Sequence, residues 1–171
     1  MVASPRLPPK ASDIFELISR SACETEQLGE RLGACVSAGD VVGLTGELGT
    51  GKTTLIRGLA KGLGIDPNLV RSPTFMLMRE YPGRVPLIHV DGYRLNQPGS
   101  AVWEDLAWIF TPTKITVIEW AERLHGCLPE DYLELELAHR TTNQRTIRAI
   151  GHGPRSHNLV ETVQRGLSPP R

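Results

Sequence analysis

One glycine-rich segment of the chain has residue types and spacing that suit phosphate binding. Residues 46–53 read Gly-Glu-Leu-Gly-Thr-Gly-Lys-Thr and match the pattern GxxxxGK[ST]. In such loops the backbone N–H groups and a lysine contact phosphates, and a hydroxyl binds Mg²⁺. We therefore predict that Lys52 contacts the β and γ phosphates of a nucleotide and that Thr53 binds Mg²⁺. The residues expected to bind the nucleotide are Gly46, Glu47, Leu48, Gly49, Thr50, Gly51, Lys52, Thr53 and Thr54.

Two carboxylates each end a short apolar run and are candidates for metal chemistry. Asp91 follows Leu-Ile-His-Val, and Glu119 follows Ile-Thr-Val-Ile. Because ligands of α/β sheets bind beyond the carboxyl ends of the strands, both side chains are expected near the phosphates. Either residue could bind Mg²⁺, directly or through water, or orient the attacking water. Together with Lys52 they are the predicted catalytic residues.

Three neighbours of these carboxylates carry a less specific signal. His89 shares the strand face of Asp91 and is expected to be a hydrogen-bonded buried histidine rather than a catalyst. Trp120 follows Glu119 and could pack beside the nucleotide or be an ordinary aromatic residue at a sheet edge. Arg94 could pair with a carboxylate, contact a partner or be a solvated loop charge.

The elements that position these residues alternate between helices and buried strands. A capping-box pattern at Ser21 and apolar residues at three- and four-residue steps predict a helix to about Ser37. The apolar run Val41–Leu44 is typical of a strand buried on both faces, and a helix is expected from Gly51 to about Leu63. Further strands are predicted at 75–81, 85–91, 115–119, 132–138 and 145–150, and further helices at 101–110, 121–128 and 156–165.

This alternation predicts an α/β fold, a P-loop NTPase-like three-layer domain with a mostly parallel central sheet flanked by helices. A single domain is expected over residues 13–166. Prolines and the lack of apolar periodicity predict flexible tails at 1–12 and 167–171. Glu104 and Asp105 are expected on a solvated helix face.

Composition excludes several classes of function. The chain has 171 residues, 40% of them apolar, and 19 Lys+Arg balance 19 Asp+Glu. Without a basic surplus it is a poor autonomous nucleic-acid binder. Its apolar stretches are too short to span a membrane and its N-terminus lacks a secretory pattern, so a cytoplasmic protein is expected. Three cysteines without CxxC spacing argue against a disulfide framework or a zinc site.

Four segments, in this order, resemble the TsaE (YjeE) family. They are Gly-Glu-Leu-Gly-Thr-Gly-Lys-Thr-Thr at 46–54, Ser-Pro-Thr-Phe at 72–75, His-Val-Asp-Gly-Tyr-Arg-Leu at 89–95 and Ile-Glu-Trp at 118–120. The helix segment Glu-Thr-Glu-Gln-Leu-Gly at 24–29 is also similar to that family's opening segment, so the resemblance covers about residues 21–140. The chain departs from the family at 76–78, where Met-Leu-Met is apolar, and in its proline-rich N-terminal tail.

The resemblance implies a bacterial P-loop ATPase that uses ATP and Mg²⁺. The family is needed to make N6-threonylcarbamoyladenosine (t6A) at position 37 of tRNAs that read codons beginning with A. TsaD performs the transfer, and the family member binds the TsaB–TsaD pair and resets it by ATP hydrolysis, so tRNA contact is expected to be indirect.

The resemblance also implies roles for individual residues. Residues 46–54 bind ATP, Thr53 and Glu119 hold Mg²⁺, and Asp91 assists metal binding or hydrolysis. Thr74 falls in a switch-like loop that should sense the γ-phosphate. Thr25 falls near the expected nucleotide base.

Other functions remain open. A small-molecule or nucleoside kinase also needs a P-loop and carboxylates, but Arg145 and Arg148, its nearest lid candidates, lie on a predicted strand. A GTPase is disfavoured because the guanine-reading Asn-Lys-x-Asp pattern is absent. A nucleotide-gated binding module, in which ATP orders the 72–81 loop, would differ from an ATPase in releasing little phosphate.

Overall fold

The computed structural model describes residues 14–94, 107–124 and 126–167. Within these ranges a seven-stranded sheet is accompanied by three α-helices. The strands are β1 (Ile14–Ser19), β2 (Val41–Thr45), β3 (Met78–Tyr81), β4 (Leu87–Asp91), β5 (Ile115–Glu119), β6 (Leu133–His139) and β7 (Arg145–Gly151). The helices are α1 (Ala22–Cys35), α2 (Lys52–Gly62) and α3 (Pro154–Leu167), with single 3₁₀ turns at Pro67–Leu69, Gly92–Arg94, Ala107–Ile109 and Ala121–Leu124.

The sheet is parallel at its centre and antiparallel at both margins. Its order is β1-β7-β6-β2-β5-β4-β3, and the pairs β6–β2, β2–β5 and β5–β4 are parallel. The outer pairs, β1–β7, β7–β6 and β4–β3, are antiparallel. The predicted α/β fold of the P-loop type is confirmed. Its sheet is mixed, with three parallel and three antiparallel strand pairs within the described ranges. Because the central strands are parallel, the carboxyl ends of β2, β4 and β5 meet at one edge, where Asp91 pairs in register with Glu119.

Each face of the sheet buries its own apolar cluster. Side chains of α1, α2 and α3 pack with Val42, Leu44 and Val117 on one face. The other face is covered by the turns at 107–109 and 121–124, whose apolar side chains pack against Val90 and Ile118. The central strands β2, β4 and β5 are therefore covered on both faces, as their continuous apolar runs predict.

Helices α1 and α2 approach each other through glycines. A Cβ atom on Gly29 would lie 2.0 Å from the carbonyl oxygen of Leu55, and one on Gly58 would lie 1.9 Å from that of Glu26. Gly33 and Gly62 extend this contact by one turn on each helix. The backbone of α1 thus directly supports α2, the helix that follows the glycine-rich loop.

Some element predictions were wrong. The strand predicted at 75–81 begins only at Met78, because residues 74–77 form a turn closed by a hydrogen bond from Met76 N to Pro73 O (2.8 Å). The helix predicted at 121–128 is a single 3₁₀ turn. Strand β1 has no counterpart among the predicted elements. The tail at 1–12, most of the helix at 101–110 with Glu104 and Asp105, and residues 168–171 lie outside the described ranges.

Among residues 14–94, 107–124 and 126–167, every helix is too short or too polar to cross a bilayer. Cys23, Cys35 and Cys127 are free thiols. Burial raises the pKa of Cys35 and of Cys127, as for thiols that pack rather than react.

The N-terminus of α3 is capped by a carboxylate from a distant part of the chain. Asp131, just before β6, accepts hydrogen bonds from the backbone N–H groups of Arg155 (2.8 Å) and Ser156 (3.0 Å). Burial raises the pKa of Asp131, but these and further hydrogen bonds outweigh burial and leave the pKa below its ordinary value.

We expect Asp131→Ala to lower the free energy of unfolding by about 1–2 kcal/mol, because two N–H groups at the helix end lose their acceptor. Since folding lowers the pKa of Asp131, the stabilisation is present above the ordinary aspartate pKa of about 4. It is lost as pH falls through the folded-state pKa. Urea unfolding near neutral pH and at successively lower pH measures both effects, with Glu130→Ala, an exposed neighbour, as the control. A pH-independent difference would contradict this account.

Candidate nucleotide-binding site

The glycine-rich loop joins β2 to α2 in a conformation that favours glycine. Gly46, Gly49 and Gly51 have φ angles of 128°, 81° and 102°. A Cβ atom on Gly46 would also lie 2.1 Å from the carbonyl oxygen of Leu137. Gly51 is the N-cap of α2 and has no side chain to cap the helix. The N–H groups of the first helical turn therefore have no side-chain acceptor at this N-cap and can serve an anion.

Lys52, the first residue of α2, is folded back onto the loop. Its side chain is buried, and Nζ donates hydrogen bonds to the carbonyl oxygens of Gly46 (2.5 Å) and Glu47 (2.8 Å). Burial lowers the pKa of Lys52, while nearby carboxylates, of which Glu119 has the largest effect, oppose the shift. The loop thus contains a largely desolvated ammonium group next to negative charge.

Thr53 and Glu119 are in direct contact, although 66 positions separate them along the chain. The Thr53 hydroxyl donates to Glu119, with Oγ1 lying 2.9 Å from Oε1 and 3.0 Å from Oε2. Glu119 is 3% exposed, and its Oε1 also lies 2.9 Å from Nε2 of the fully buried His89. Since the Thr53 proton is directed at Glu119, the lone pairs of the hydroxyl oxygen are left for another partner. Hydroxyl and carboxylate oxygens are the donors that Mg²⁺ prefers, so the residues present fit such an ion.

Asp91 has different neighbours from Glu119. Its Oδ2 accepts hydrogen bonds from the hydroxyls of Ser72 (2.6 Å) and Thr74 (2.5 Å), and its Oδ1 accepts from the backbone N–H of Tyr93 (2.9 Å). The backbone N–H of Asp91 donates to Leu77 O at 2.9 Å. Asp91 therefore ties the 72–77 loop to the sheet edge. Ser72 was not among the predicted site residues, and the Ser-Pro-Thr segment was the signal that could have identified it.

The aromatic side chains of Tyr93 and Trp120 line the cleft. Trp120 has a positive φ of 59°, and its ring centroid lies 3.7 Å from Lys52 Nζ and 5.2 Å from that of Tyr93. The Arg123 guanidinium lies over both rings. Trp120 is thus placed at the cleft rather than at an unrelated sheet edge. The sequence allowed three roles for Arg94. Its guanidinium carbon lies 4.8 Å from the centroid of the exposed Phe75 ring.

These groups surround a cleft of about 550 Å³, which is within the usual range for small-molecule sites. The cleft is lined by Leu48, Gly49, Gly51, Lys52, Thr53, Thr54, Ser72, Thr74, Asp91, Tyr93, Glu119 and Trp120. The structure thus brings the phosphate loop, both carboxylates, Thr74 and Trp120 into one site.

Four of the residues expected to bind nucleotide are absent from the cleft lining: Thr25, Gly46, Glu47 and Thr50. Thr50 is buried, and its hydroxyl donates to Glu47 O at 2.8 Å, which closes the loop. Thr25 is buried behind the loop, where it accepts from Arg145 Nη1 at 2.8 Å. Its methyl group would lie 3.6 Å from a Cβ atom on Gly51. A role of Thr25 toward the nucleotide base stays a prediction.

The fold and the site define a P-loop protein, because a glycine-rich loop links a parallel strand to a helix beside a carboxylate of the neighbouring strand. The sequence model of "Threonylcarbamoyl adenosine biosynthesis protein TsaE" matches residues 19–147. The chain therefore belongs to the TsaE family, and the resemblance given above is confirmed.

Individual relatives agree with this assignment. The chain is 35% identical over 143 residues to the tRNA threonylcarbamoyladenosine biosynthesis protein TsaE of Bacillus subtilis, a match that covers 83% of this chain and 89% of that protein. The protein of the same name from Streptomyces coelicolor is 45% identical over 115 residues, covering 65% and 76%. The crystal structure of Bacillus subtilis YdiB superposes with a TM-score of 0.76 at 29% identity and covers 91% of this chain and 97% of that one.

Proposed function

We propose that this chain is an ATP-binding and ATP-hydrolysing accessory protein for t6A modification of tRNA. The observation that carries the proposal is the contact of Thr53 with Glu119 beside the buried Lys52, at the base of a nucleotide-sized cleft. The relatives from Bacillus subtilis and Streptomyces coelicolor that are 35% and 45% identical are both named for tRNA threonylcarbamoyladenosine biosynthesis. We place the protein in the cytoplasm, with TsaB and TsaD as partners and with tRNA contacted through their complex.

In this proposal the phosphates of ATP bind the N–H groups of the loop and the first turn of α2. Lys52 exchanges the loop carbonyls for phosphate oxygens, which better neutralise its charge. Thr53 and Glu119 hold Mg²⁺, with Asp91 near by. When bound, Mg²⁺ supplies positive charge that stabilises the phosphate oxygens during transfer to water.

In this proposal Glu119 and Asp91 have different roles, because their hydrogen-bond partners differ. Glu119 contacts the Thr53 hydroxyl and serves the metal, whereas Asp91 accepts hydrogen bonds from the hydroxyls of Ser72 and Thr74 and from the N–H of Tyr93. Asp91 therefore positions the 72–77 loop. The Thr74 hydroxyl lines the cleft and can turn from Asp91 toward a γ-phosphate, so that the loop reports which nucleotide is bound.

The solvent-facing side of the 72–77 loop supports the proposed dependence of ATP hydrolysis on partner proteins. Phe75 and Met76 are 87% and 63% exposed and come directly after Thr74. Exposed apolar side chains next to a nucleotide-sensing hydroxyl suit a partner that binds one nucleotide state better than the other. We propose that the TsaB–TsaD pair contacts this loop and thereby accelerates a turnover that is slow in the isolated chain.

We expect Phe75→Ala to leave Mg-ATP binding unchanged and to raise the TsaB–TsaD concentration needed for half-maximal stimulation about tenfold, as for an aromatic interface residue. Phosphate release titrated with the pair measures this. Leu69→Ala removes another exposed apolar side chain, outside the cleft lining, and is the control. Equal behaviour of the two variants would remove the 72–77 loop from the interface.

A nucleotide-gated binding module with negligible turnover is the second candidate, since the link from Thr74 to Asp91 and to exposed Phe75 would serve it equally. The kinase alternative is less well supported. Arg145 and Arg148 lie on β7 and donate to Thr25 and Glu136, so neither is placed on a mobile lid.

A reconstituted t6A-forming reaction tests the proposed function. With TsaB, TsaD, tRNA and a preformed threonylcarbamoyl donor present, adding this chain and ATP should convert limited product formation into continued turnover. A non-hydrolysed ATP analogue should support no more than the first round. Product formation that is the same with and without the chain would contradict the proposal, and continued turnover with the analogue would favour the binding module.

A further inference from the structure

His89 is a buried group that contacts the cleft residue Glu119 and that the proposed function does not use. It lies on β4, is 0% exposed, and its Nε2 is 2.9 Å from Glu119 Oε1. A carboxylate only accepts hydrogen bonds, so Nε2 of His89 carries a hydrogen atom and donates a hydrogen bond to Glu119. This donor reaches Glu119 from the interior of the sheet, on the side away from solvent.

The other ring nitrogen of His89 indicates that the imidazole is not there for packing alone. His89 Nδ1 is buried and has no hydrogen-bond partner in the described part of the chain. An unpaired buried polar atom destabilises a fold. The strand neighbours Leu87, Ile88 and Val90 are all apolar and fully buried, so an apolar side chain would suit this position without that cost. The hydrogen bond to Glu119 is the contact that a histidine makes at this position and that an apolar residue could not make.

The contacts of Glu119 show what this hydrogen bond does. The Thr53 hydroxyl lies at nearly equal distances from both carboxylate oxygens, so it does not favour one oxygen over the other. The imidazole instead binds Oε1 alone and is held by β4, which pairs with β5 in register, His89 opposite Val117. The imidazole therefore fixes Oε1 to the sheet, while Oε2 is contacted by the Thr53 hydroxyl.

We propose that His89 is a positioning residue that holds Glu119 in the orientation required to bind Mg²⁺ together with Thr53. The inference rests on the proposed function in one respect, namely that Thr53 and Glu119 bind Mg²⁺ with a nucleotide. Outer partners of metal ligands commonly alter metal affinity in this way.

The test compares His89→Leu, which removes the donor and keeps an apolar side chain, with His89→Gln, whose amide can donate to the same oxygen. Binding of a fluorescent ADP analogue is titrated with Mg²⁺. We expect His89→Leu to raise the Mg²⁺ concentration for half-maximal binding about 10–100-fold. His89→Gln should stay within a few-fold of wild type, and ADP binding without Mg²⁺ should be the same in all three proteins.

The outcomes separate this inference from the proposed function. If the wild type shows no Mg²⁺-dependent nucleotide binding, the proposed function fails. If the wild type shows it and His89→Leu has an unchanged Mg²⁺ requirement, or if His89→Gln is as impaired as His89→Leu, the positioning role is overturned. Thermal unfolding checks that each variant folds. If His89→Leu does not, His89→Asn, whose shorter amide cannot reach Glu119 in the same way, takes its place with the same expectation.

Discussion

Replacing Lys52 with alanine is expected to abolish measurable Mg-ATP binding and to lower phosphate release at least about 100-fold, the usual effect of removing one group that stabilises developing charge. The ammonium group is buried inside the loop, next to Glu119, and its loop acceptors are neutral carbonyls. The other cations of α2, Arg57 and Lys61, do not replace it, because neither lines the cleft. Phosphate oxygens would therefore lose their only lysine partner in the loop.

Lys61→Ala is the matched control for this prediction. It removes the same side chain from the same helix, but Lys61 is exposed and paired with Glu30 at 2.8 Å. Exposed pairs of this kind contribute little to stability, so binding and turnover should stay near wild type. Calorimetric titration with Mg-ATP and a phosphate-release assay compare the two variants. If Lys52→Ala bound Mg-ATP as Lys61→Ala does, the loop would not be the phosphate site.

Glu119→Gln is the second change with a large expected effect. The amide keeps the size of the side chain and an oxygen that can accept from Thr53, but it removes the negative charge beside the metal position. We expect phosphate release to fall about 100–1,000-fold, with a raised Mg²⁺ requirement and a folded protein. Phosphate release over a range of Mg²⁺ concentrations measures both effects.

The control for this variant is Glu80→Gln, which neutralises a carboxylate that pairs with Lys114 outside the cleft lining. It should leave the Mg²⁺ dependence unchanged. Turnover in Glu119→Gln that equals turnover in Glu80→Gln would transfer the metal role to Asp91 and contradict the division proposed here.

Local patterns in the sequence predict those parts of the fold that local forces decide. The capping box at Ser21 places the start of α1, where Ser21 Oγ accepts from Glu24 N at 3.1 Å. The apolar runs at β2, β4 and β5 predict strands buried on both faces, and the structure confirms them.

Distant contacts decide the elements that the patterns missed. Strand β1 is an edge strand whose partner β7 begins at Arg145, far along the chain, and its burial does not alternate cleanly. Residues 74–77 have strand-forming side chains, but Pro73 and the contacts of Asp91 favour a turn there. The spacing of Gly29 and Gly33, and of Gly58 and Gly62, was visible, yet its meaning depends on two helices meeting.

The site shows the same division between local and distant information. The loop pattern predicts Lys52 and Thr53 as a unit, and the strand ends predict Asp91 and Glu119 as neighbours. Their separate partners follow from strand order, because β5 and not β4 lies next to β2, the strand that leads into the loop. Local patterns alone therefore left the two carboxylates equivalent. The family resemblance associated Thr53 with Glu119, but nothing in the sequence indicated that Ser72 and Thr74 both contact Asp91.

Phosphate release from Mg-ATP, measured for the chain alone and with purified TsaB and TsaD, tests the central proposal most directly. The account predicts slow release by the chain alone, marked stimulation by the pair, and loss of that stimulation in Lys52→Ala. If TsaB and TsaD neither bound the chain nor changed its rate of release, a role as their partner-activated ATPase would be contradicted.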